Sequence, residues 1–181
     1  MAIRKRSETI HLRTTPFVKS TLDVLAALND KTATAVIEGL LNEAMSRTAV
    51  AAPKFVKPAK VTNGKVSLID LMEGIYTDNE LLFKLRLFLL VPGAISGDDK
   101  LVCEAISHDL TLEDSVFYGE DQIFDDKCSE FISDITFPGV STDRLSSNVN
   151  VLKKYVEFKK KNPEVDMNYR TYLEVIFLKS R

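Results

Sequence analysis

The sequence predicts a mainly α-helical protein made of two unequal parts. Within residues 7–47, one short strand-like pattern precedes two helical patterns. Beyond residue 65, apolar residues recur at helical spacing almost to the end of the chain. Charge separates the same two parts, since residues 1–65 hold 11 Lys and Arg against 5 Asp and Glu, and residues 66–181 hold 13 against 21. A basic N-terminal part and an acidic C-terminal part are expected, although the formal net charge is only −2.

The first predicted element is a strand over residues 9–13. Polar and apolar residues alternate there, with the period of two that a half-buried strand shows. Ile10 and Leu12 are expected to face the helices. The outward face would carry Thr9, His11 and Arg13.

Two amphipathic helices follow the strand. Thr15 is a good N-cap and Pro16 suits the first helical turn, so a helix is expected to begin there. After a break at residues 29–31, Thr32 or Thr34 can cap a second helix with a wide apolar stripe. Gly39 lies inside that helix, where glycine costs about 1 kcal/mol relative to alanine, and it predicts a close approach between helices.

Some forty residues in this order are too few for a closed core. One exposed strand with two amphipathic helices needs a second copy, which pairs the strand edge and covers the helices. A homodimer through residues 7–47 is therefore expected, with a higher oligomer as a further possibility.

The stretch TIHLRTTPFVKSTLDVLAALNDKTATAVIEGLLNEAM resembles the ribbon-helix-helix modules of the Arc, MetJ and CopG type. The shared features are the polar–apolar alternation ending in Leu-Arg, the helix-opening proline, and Thr-x-Thr before the second apolar helix. The resemblance covers residues 7–47, about the first quarter of the chain. It implies an intertwined dimer whose two-stranded ribbon enters the DNA major groove.

The resemblance also assigns roles to individual residues. Base readout would fall to Thr9, His11 and Arg13, and Arg13 is suited to bidentate contact with guanine, worth about 1–3 kcal/mol of discrimination. Phosphate contacts would come from the basic arm and from the start of the second helix. These candidates are Arg4, Lys5, Arg6, Thr32, Ala33 and Thr34.

The predicted domain order is a ribbon-helix-helix module over residues 1–48, a flexible basic linker over 49–65 and an acidic helical domain over 66–181. The linker prediction rests on two prolines, an Asn-Gly pair and four lysines without an acid between residues 48 and 65. The acidic domain is expected to be a bundle of five or six helices. Within it, the segment LLFKLRLFLLVPG, residues 81–93, is apolar on nearly every side, ends at Pro92-Gly93 and predicts a buried central helix.

Several other helices are expected in the acidic domain. Ser67 and the segment 77–80 resemble helix starts, and Asp98 or Asp99 can open another helix. Thr111 resembles a further capped start, and residues 141–147 have the composition of a loop or cap. The final stretch, NYRTYLEVIFLKSR, predicts a helix with a strand as the alternative, because it contains β-branched and aromatic residues.

Catalytic and metal chemistry find little support in the sequence, and the protein is expected not to be an enzyme. Cys103, His108 and Cys128 supply at most three soft ligands, without the paired spacing of zinc sites. Free buried thiols are the expected state of both cysteines. No metal site and no cofactor is predicted, and the acidic clusters are expected to be a solvated face or a surface for a basic partner.

The expected function is sequence-specific binding of double-stranded DNA, most simply as a transcriptional repressor or autorepressor of a bacterial or mobile-element operon. Two alternatives remain open. One is an accessory DNA-binding protein of conjugation or plasmid segregation, and the other is an antitoxin-like protein whose acidic domain captures a protein partner. Without a signal peptide or an apolar run of about 18 residues, no membrane role is expected. The expected location is the cytoplasm, and the nucleoid when the protein is bound to DNA.

Overall fold

The chain forms two compact units, Met1–Thr48 (unit 1) and Ala49–Arg181 (unit 2). The structure is a computed structural model that describes residues 11–133 and 137–179, without the side chains of residues 177–179. In the described ranges the fold is mainly helical, with seven α-helices and one small antiparallel sheet. This confirms the mainly helical class predicted from the sequence.

Unit 1 contains two helices, α1 (Pro16–Leu28) and α2 (Ala33–Arg47). The hydroxyl of Thr15 accepts a hydrogen bond from the Val18 amide and so caps α1. Before α1, residues 11–15 have no regular secondary structure in the single chain. The predicted strand over residues 9–13 falls only partly within the described residues, and its pairing would need a second chain.

Within the single chain, no other helix approaches α2 closely at Gly39, contrary to the prediction from the sequence. A Cβ atom placed on Gly39 would have no neighbour within 4 Å, because this face of α2 points to solvent. Any close helix approach at this position must come from another molecule.

Residues 49–65 are folded and are not a flexible linker. Strand β1 (Ala49–Ala51) pairs antiparallel with β2 (Lys65–Ser67), with Val50 opposite Val66. Between the strands, Val56 is only 5% exposed and lies in the core of unit 2. The lysines and prolines of this segment predict a linker, but its apolar residues Val50, Phe55, Val56 and Val61 pack into the core of unit 2.

Five helices complete unit 2 in the described residues. They are α3 (Leu68–Ile75), α4 (Glu80–Leu90), α5 (Gly97–Asp109), α6 (Thr142–Lys161) and α7 (Tyr169–Lys179). The side chains of Ser67 and Asn79 cap α3 and α4. The final stretch is helical over Tyr169–Lys179, its described part, and this favours the predicted helix over the strand alternative. In the described part of the chain, no helix has the length and apolar character needed to cross a bilayer.

No α-helix forms in the described residues between α5 and α6, so the helix expected from Thr111 is absent. The Asp109 carboxylate accepts hydrogen bonds from the Ser115 hydroxyl at 2.6 Å and from the Val116 amide at 2.8 Å. Such side-chain bonds to nearby backbone compete with helix formation. Residues 142–147, expected to be a loop or cap, form the first turns of α6 behind the cap Ser141.

Helix α4 lies at the centre of unit 2, as its apolar sequence predicts. Leu82 and Leu85 belong to one buried cluster, which also contains residues of α5, α6 and α7. Leu87 and Leu90 belong to a second cluster, formed with α3 and the segment around β1 and β2. One helix therefore joins both halves of the core.

Arg86 is a charged side chain buried within α4, with 1% of its surface exposed. Its Nε donates to the Ile123 carbonyl at 2.5 Å and its Nη1 to the Ile75 carbonyl at 3.1 Å. Its Nη2 lies 3.0 Å from Oδ2 of Asp125 and forms an ion pair there, although no well-directed hydrogen bond reaches Nη2. The guanidinium thus connects α4 to the end of α3 and to the segment that contains Ile123 and Asp125.

The ion pair predicts an acid-sensitive contribution to stability. Partial burial favours a higher pKa for Asp125, but the nearby Arg86 guanidinium, together with hydrogen bonds from Cys128, outweighs it and lowers that pKa below its ordinary 3.8. A carboxylate with a lowered pKa stabilises the folded state above the unfolded pKa, and this contribution disappears as the pH falls through the folded pKa. We therefore expect Asp125→Asn to be less stable than the wild type near pH 6, with the difference narrowing below about pH 4 in urea titrations.

Asp126→Asn is the matched control, because Asp126 is exposed and forms no ion pair with a described residue. Its stability should follow the wild-type pH profile. A constant difference between Asp125→Asn and the wild type from pH 6 to strong acid would show that the ion pair contributes nothing.

Candidate nucleic-acid interface

A tight turn between α1 and α2 positions the start of the second helix. The Lys31 amide donates to the Ala26 carbonyl at 3.0 Å, and the Asp30 amide donates to the Ala27 carbonyl at 3.3 Å. This pair of bonds is a Schellman motif, which normally has glycine in the left-handed position. Asp30 occupies that position with φ 50°, a conformation that aspartate tolerates better than most residues.

The N-terminus of α2 exposes donors that suit a phosphate. The Thr32 hydroxyl caps the helix by accepting from the Ala35 amide at 3.1 Å. The amides of Ala33 and Thr34 come before the first intrahelical hydrogen bond and stay open. The helix dipole adds a partial positive charge at the same place. These groups can bind an anion, as anticipated for the phosphate contacts at Thr32, Ala33 and Thr34.

The predicted base-reading side chains are only partly within the described residues. His11 and Arg13 are exposed, and Arg13 forms no ion pair with any residue that the structure describes. Thr9 and the basic arm Arg4, Lys5 and Arg6 lie outside the described residues. Of the predicted readout residues the structure therefore describes only His11 and Arg13, and the predicted ribbon would have to be assembled by two chains.

The helices of unit 1 present a large apolar surface to solvent. Ala26 is the only buried residue of this unit among those described. Phe17 is 78% exposed and Leu28 is 77% exposed. Among the described residues of unit 1, the large apolar side chains that are exposed are Leu12, Phe17, Val18, Val24, Leu25, Leu28, Leu40 and Leu41. Apolar patches of this kind mark interaction surfaces.

A cavity of about 410 Å³ opens between α4, α5 and α6 of unit 2. Apolar side chains of Leu81 and Val102 line part of it. The Lys84 ammonium lies 2.6 Å from Glu80 Oε1 and 2.9 Å from Asp99 Oδ2, so its charge is already neutralised by the protein. This arrangement leaves Lys84 as a structural cation in the wall of the cavity.

Neither cysteine is poised as a nucleophile or metal ligand. Burial raises the pKa of the Cys103 thiol to about 12 and that of the Cys128 thiol to about 11. Both thiols are therefore protonated near neutral pH. Within the described ranges, no group of three or more His, Cys, Asp or Glu side chains is arranged to hold a metal ion.

Comparison of the chain with family models, curated proteins and solved structures finds no match.

The cap at α2 generates a stability prediction. We expect Thr32→Ala to lower the free energy of unfolding by about 1 kcal/mol, because it leaves the Ala35 amide without an acceptor. Urea titration followed by circular dichroism measures this loss. Thr34→Ala is the control, since the Thr34 hydroxyl has no partner in the described structure and alanine is the better helix former. Equal stability of both variants would contradict the assigned cap.

Proposed function

We propose that this protein is a dimeric, sequence-specific binder of double-stranded DNA that inserts a two-stranded β-ribbon into the major groove. Its most plausible role is transcriptional repression or autorepression of a bacterial or mobile-element operon. The observation that carries the proposal is the state of unit 1, where two well-capped helices leave their apolar side chains uncovered.

A second copy of the chain is the occupant that fits this surface best. Unit 1 falls near the lower limit of about 40 residues for a fold that stands alone. Its helices need an apolar partner, and the unpaired segment at residues 11–13 needs a strand of the same kind. A second unit 1 supplies both, through a symmetric interface in which each surface contacts its equivalent.

Such a dimer would divide its contacts with DNA into two kinds. The polar residues of the ribbon, Thr9, His11 and Arg13, would contact base edges and provide specificity. The open amides of Ala33 and Thr34 would hold flanking phosphates and fix the register of the protein on the duplex. Arg13 is exposed and forms no ion pair with any residue that the structure describes, which supports this use.

The acidic charge of unit 2 supports the alternative roles. Unit 2, residues 49–181, carries 17 Lys and Arg against 21 Asp and Glu, and 21 of these acids against 13 of the cations lie beyond residue 65, a poor composition for a DNA-binding surface. Tyr118 is exposed beside Glu120 and Asp121, which is a fitting combination for a basic protein partner. Unit 2 would then recruit machinery in conjugation or plasmid segregation, or capture a partner as an antitoxin does.

The ribbon assignment predicts the loss of specificity in a triple variant. We expect Thr9→Ala/His11→Ala/Arg13→Ala to bind a duplex selected from a random-sequence pool at least about tenfold more weakly than the wild type, since one bidentate contact is worth about 1–3 kcal/mol. Weak binding to random duplex should persist. Fluorescence anisotropy with the selected duplex and with a scrambled duplex measures both affinities.

His108→Ala/Lys127→Ala is the matched control, because it removes an exposed histidine and an exposed cation from unit 2. It should bind the selected duplex like the wild type. Unchanged affinity in the triple variant would exclude the ribbon as the reader. Capture of a protein partner by a triple variant that has lost DNA binding would show two separable activities.

The dimer makes a prediction about residues that look unimportant in one chain. Leu40 and Leu41 are 54% and 52% exposed, so Leu40→Asn/Leu41→Asn should hardly affect a monomer. We expect the wild type to sediment as two chains at micromolar concentration and the double variant to shift toward one chain. Sedimentation equilibrium gives the dissociation constants.

Tyr118→Asn serves as the control, since it also replaces an exposed apolar ring with an amide, but in unit 2. It should leave the dimer intact. A wild-type protein that is single-copy at micromolar concentration would overturn the dimer and, with it, the ribbon.

A further inference from the structure

We propose that residues 49–67, the basic hairpin, form a second surface that binds the phosphate backbone of DNA. The inference rests on the proposed function and extends it to unit 2, whose composition is otherwise acidic. The basic hairpin comprises β1, β2 and the residues between them, and it follows α2 in the sequence without an intervening segment.

The basic hairpin contains four lysines and no acidic residue. No Asp or Glu occurs between Glu43 and Asp70, a stretch that includes the four lysines of the hairpin. Within the described structure, none of these lysines takes part in an ion pair. They are Lys54, Lys57, Lys60 and Lys65.

Several other cations of unit 2 are paired with carboxylates in the described structure. Lys160 lies 2.7 Å from Asp98, and Arg170 pairs with Asp114. Lys84 and Arg86 are likewise held by carboxylates. The lysines of the hairpin therefore keep positive charge that the protein does not use internally, and a polyanion can release its counterions by pairing with them.

The hairpin holds these charges on a defined scaffold. The Lys57 amide donates to the Phe131 carbonyl at 2.9 Å, and the Ser133 amide donates to the Phe55 carbonyl at 2.8 Å. These bonds attach the loop to the body of unit 2 on either side of buried Val56. The scaffold reduces the entropy that a flexible lysine-rich tether would lose on binding.

A tight turn shapes the end of the hairpin. Thr62 and Lys65 exchange backbone hydrogen bonds at 2.8 Å and 3.0 Å. Between them, Asn63 and Gly64 both have positive φ, 51° and 71°, as a type I′ turn requires. The turn fixes where its polar side chains lie.

A groove of about 390 Å³ lies beside this turn. Lys60 and Lys65 line it together with the polar side chains of Thr62, Asn63 and Ser67. Lysine, threonine, serine and asparagine are among the donors that contact phosphates in protein–DNA complexes. One acid also lines the groove, Asp70, whose carboxylate accepts the Ser67 hydroxyl proton at 2.5 Å, so the donors left for a phosphate are Lys60, Lys65, Thr62 and Asn63, and the two lysines outnumber the single acid.

The test measures how DNA affinity depends on salt in the full-length protein. Each lost phosphate contact lowers the slope of log K against log salt by about 0.9. We expect Lys60→Ala/Lys65→Ala to lower that slope by about 1.8 per chain and to weaken binding to the selected and scrambled duplexes by the same factor. Lys60→Arg/Lys65→Arg should restore the slope, because arginine keeps the charge.

Lys154→Ala/Lys161→Ala is the control, since these exposed lysines belong to α6 and should leave the slope unchanged. A wild-type slope in Lys60→Ala/Lys65→Ala overturns the inference while the ribbon assignment stands. Loss of DNA binding in this variant, with normal binding in the ribbon triple variant, supports the hairpin and overturns the ribbon. Loss of binding to RNA or heparin with intact DNA binding would assign the surface to another polyanion and overturn it.

Discussion

Unit 1 has too few residues to cover its own apolar side chains, and the proposed function depends on that constraint. Two helices packed side by side can shield only the stripe along their contact, which here buries Ala26 among the described residues. The side chains of Phe17, Leu28 and Leu40 remain in water. Burial of one such side chain is worth about 1.5–3 kcal/mol, so a partner that covers several of them gains enough to offset the loss of translational freedom. The proposed dimer would bury the apolar surface that unit 1 leaves exposed by itself.

Helix positions could be read from the sequence because their signals are local. Thr15, Thr32, Ser67 and Asn79 each cap the helix that follows, and side-chain oxygens at such positions satisfy amides that the helix itself leaves open. The apolar sequence of α4 likewise predicted that this helix is buried. The donors at the start of α2 follow from the same local signals, whereas the proposed pairing of the ribbon would involve a second chain.

Features governed by distant contacts were not predictable in this way. The composition of residues 49–65 predicted a linker and gave no sign that Val56 is buried. Val56 forms a backbone bridge with Ile132, which is 76 residues away in the sequence. The helix expected to begin at Thr111 does not form, because the Ser115 hydroxyl and the Val116 amide donate to the Asp109 carboxylate instead. Arg86 offered a signal, since a single arginine among leucines is costly to bury unless several acceptors surround it. Its acceptors, however, come from segments 11 and 37 residues away.

The distribution of charge connects the two proposed contact surfaces. Ribbon residues would read bases at short range, where each contact depends on geometry, whereas the hairpin lysines would act on phosphates of any sequence. An acidic unit 2 placed near DNA would be repelled by it, and an uncompensated basic edge reduces that repulsion where the chain leaves α2. Lys54, Lys57, Lys60 and Lys65 form no ion pair within the described structure, whereas Lys84, Arg86, Lys160 and Arg170 each pair with a carboxylate. In this proposal the acidic side chains of unit 2 would remain available to a basic protein.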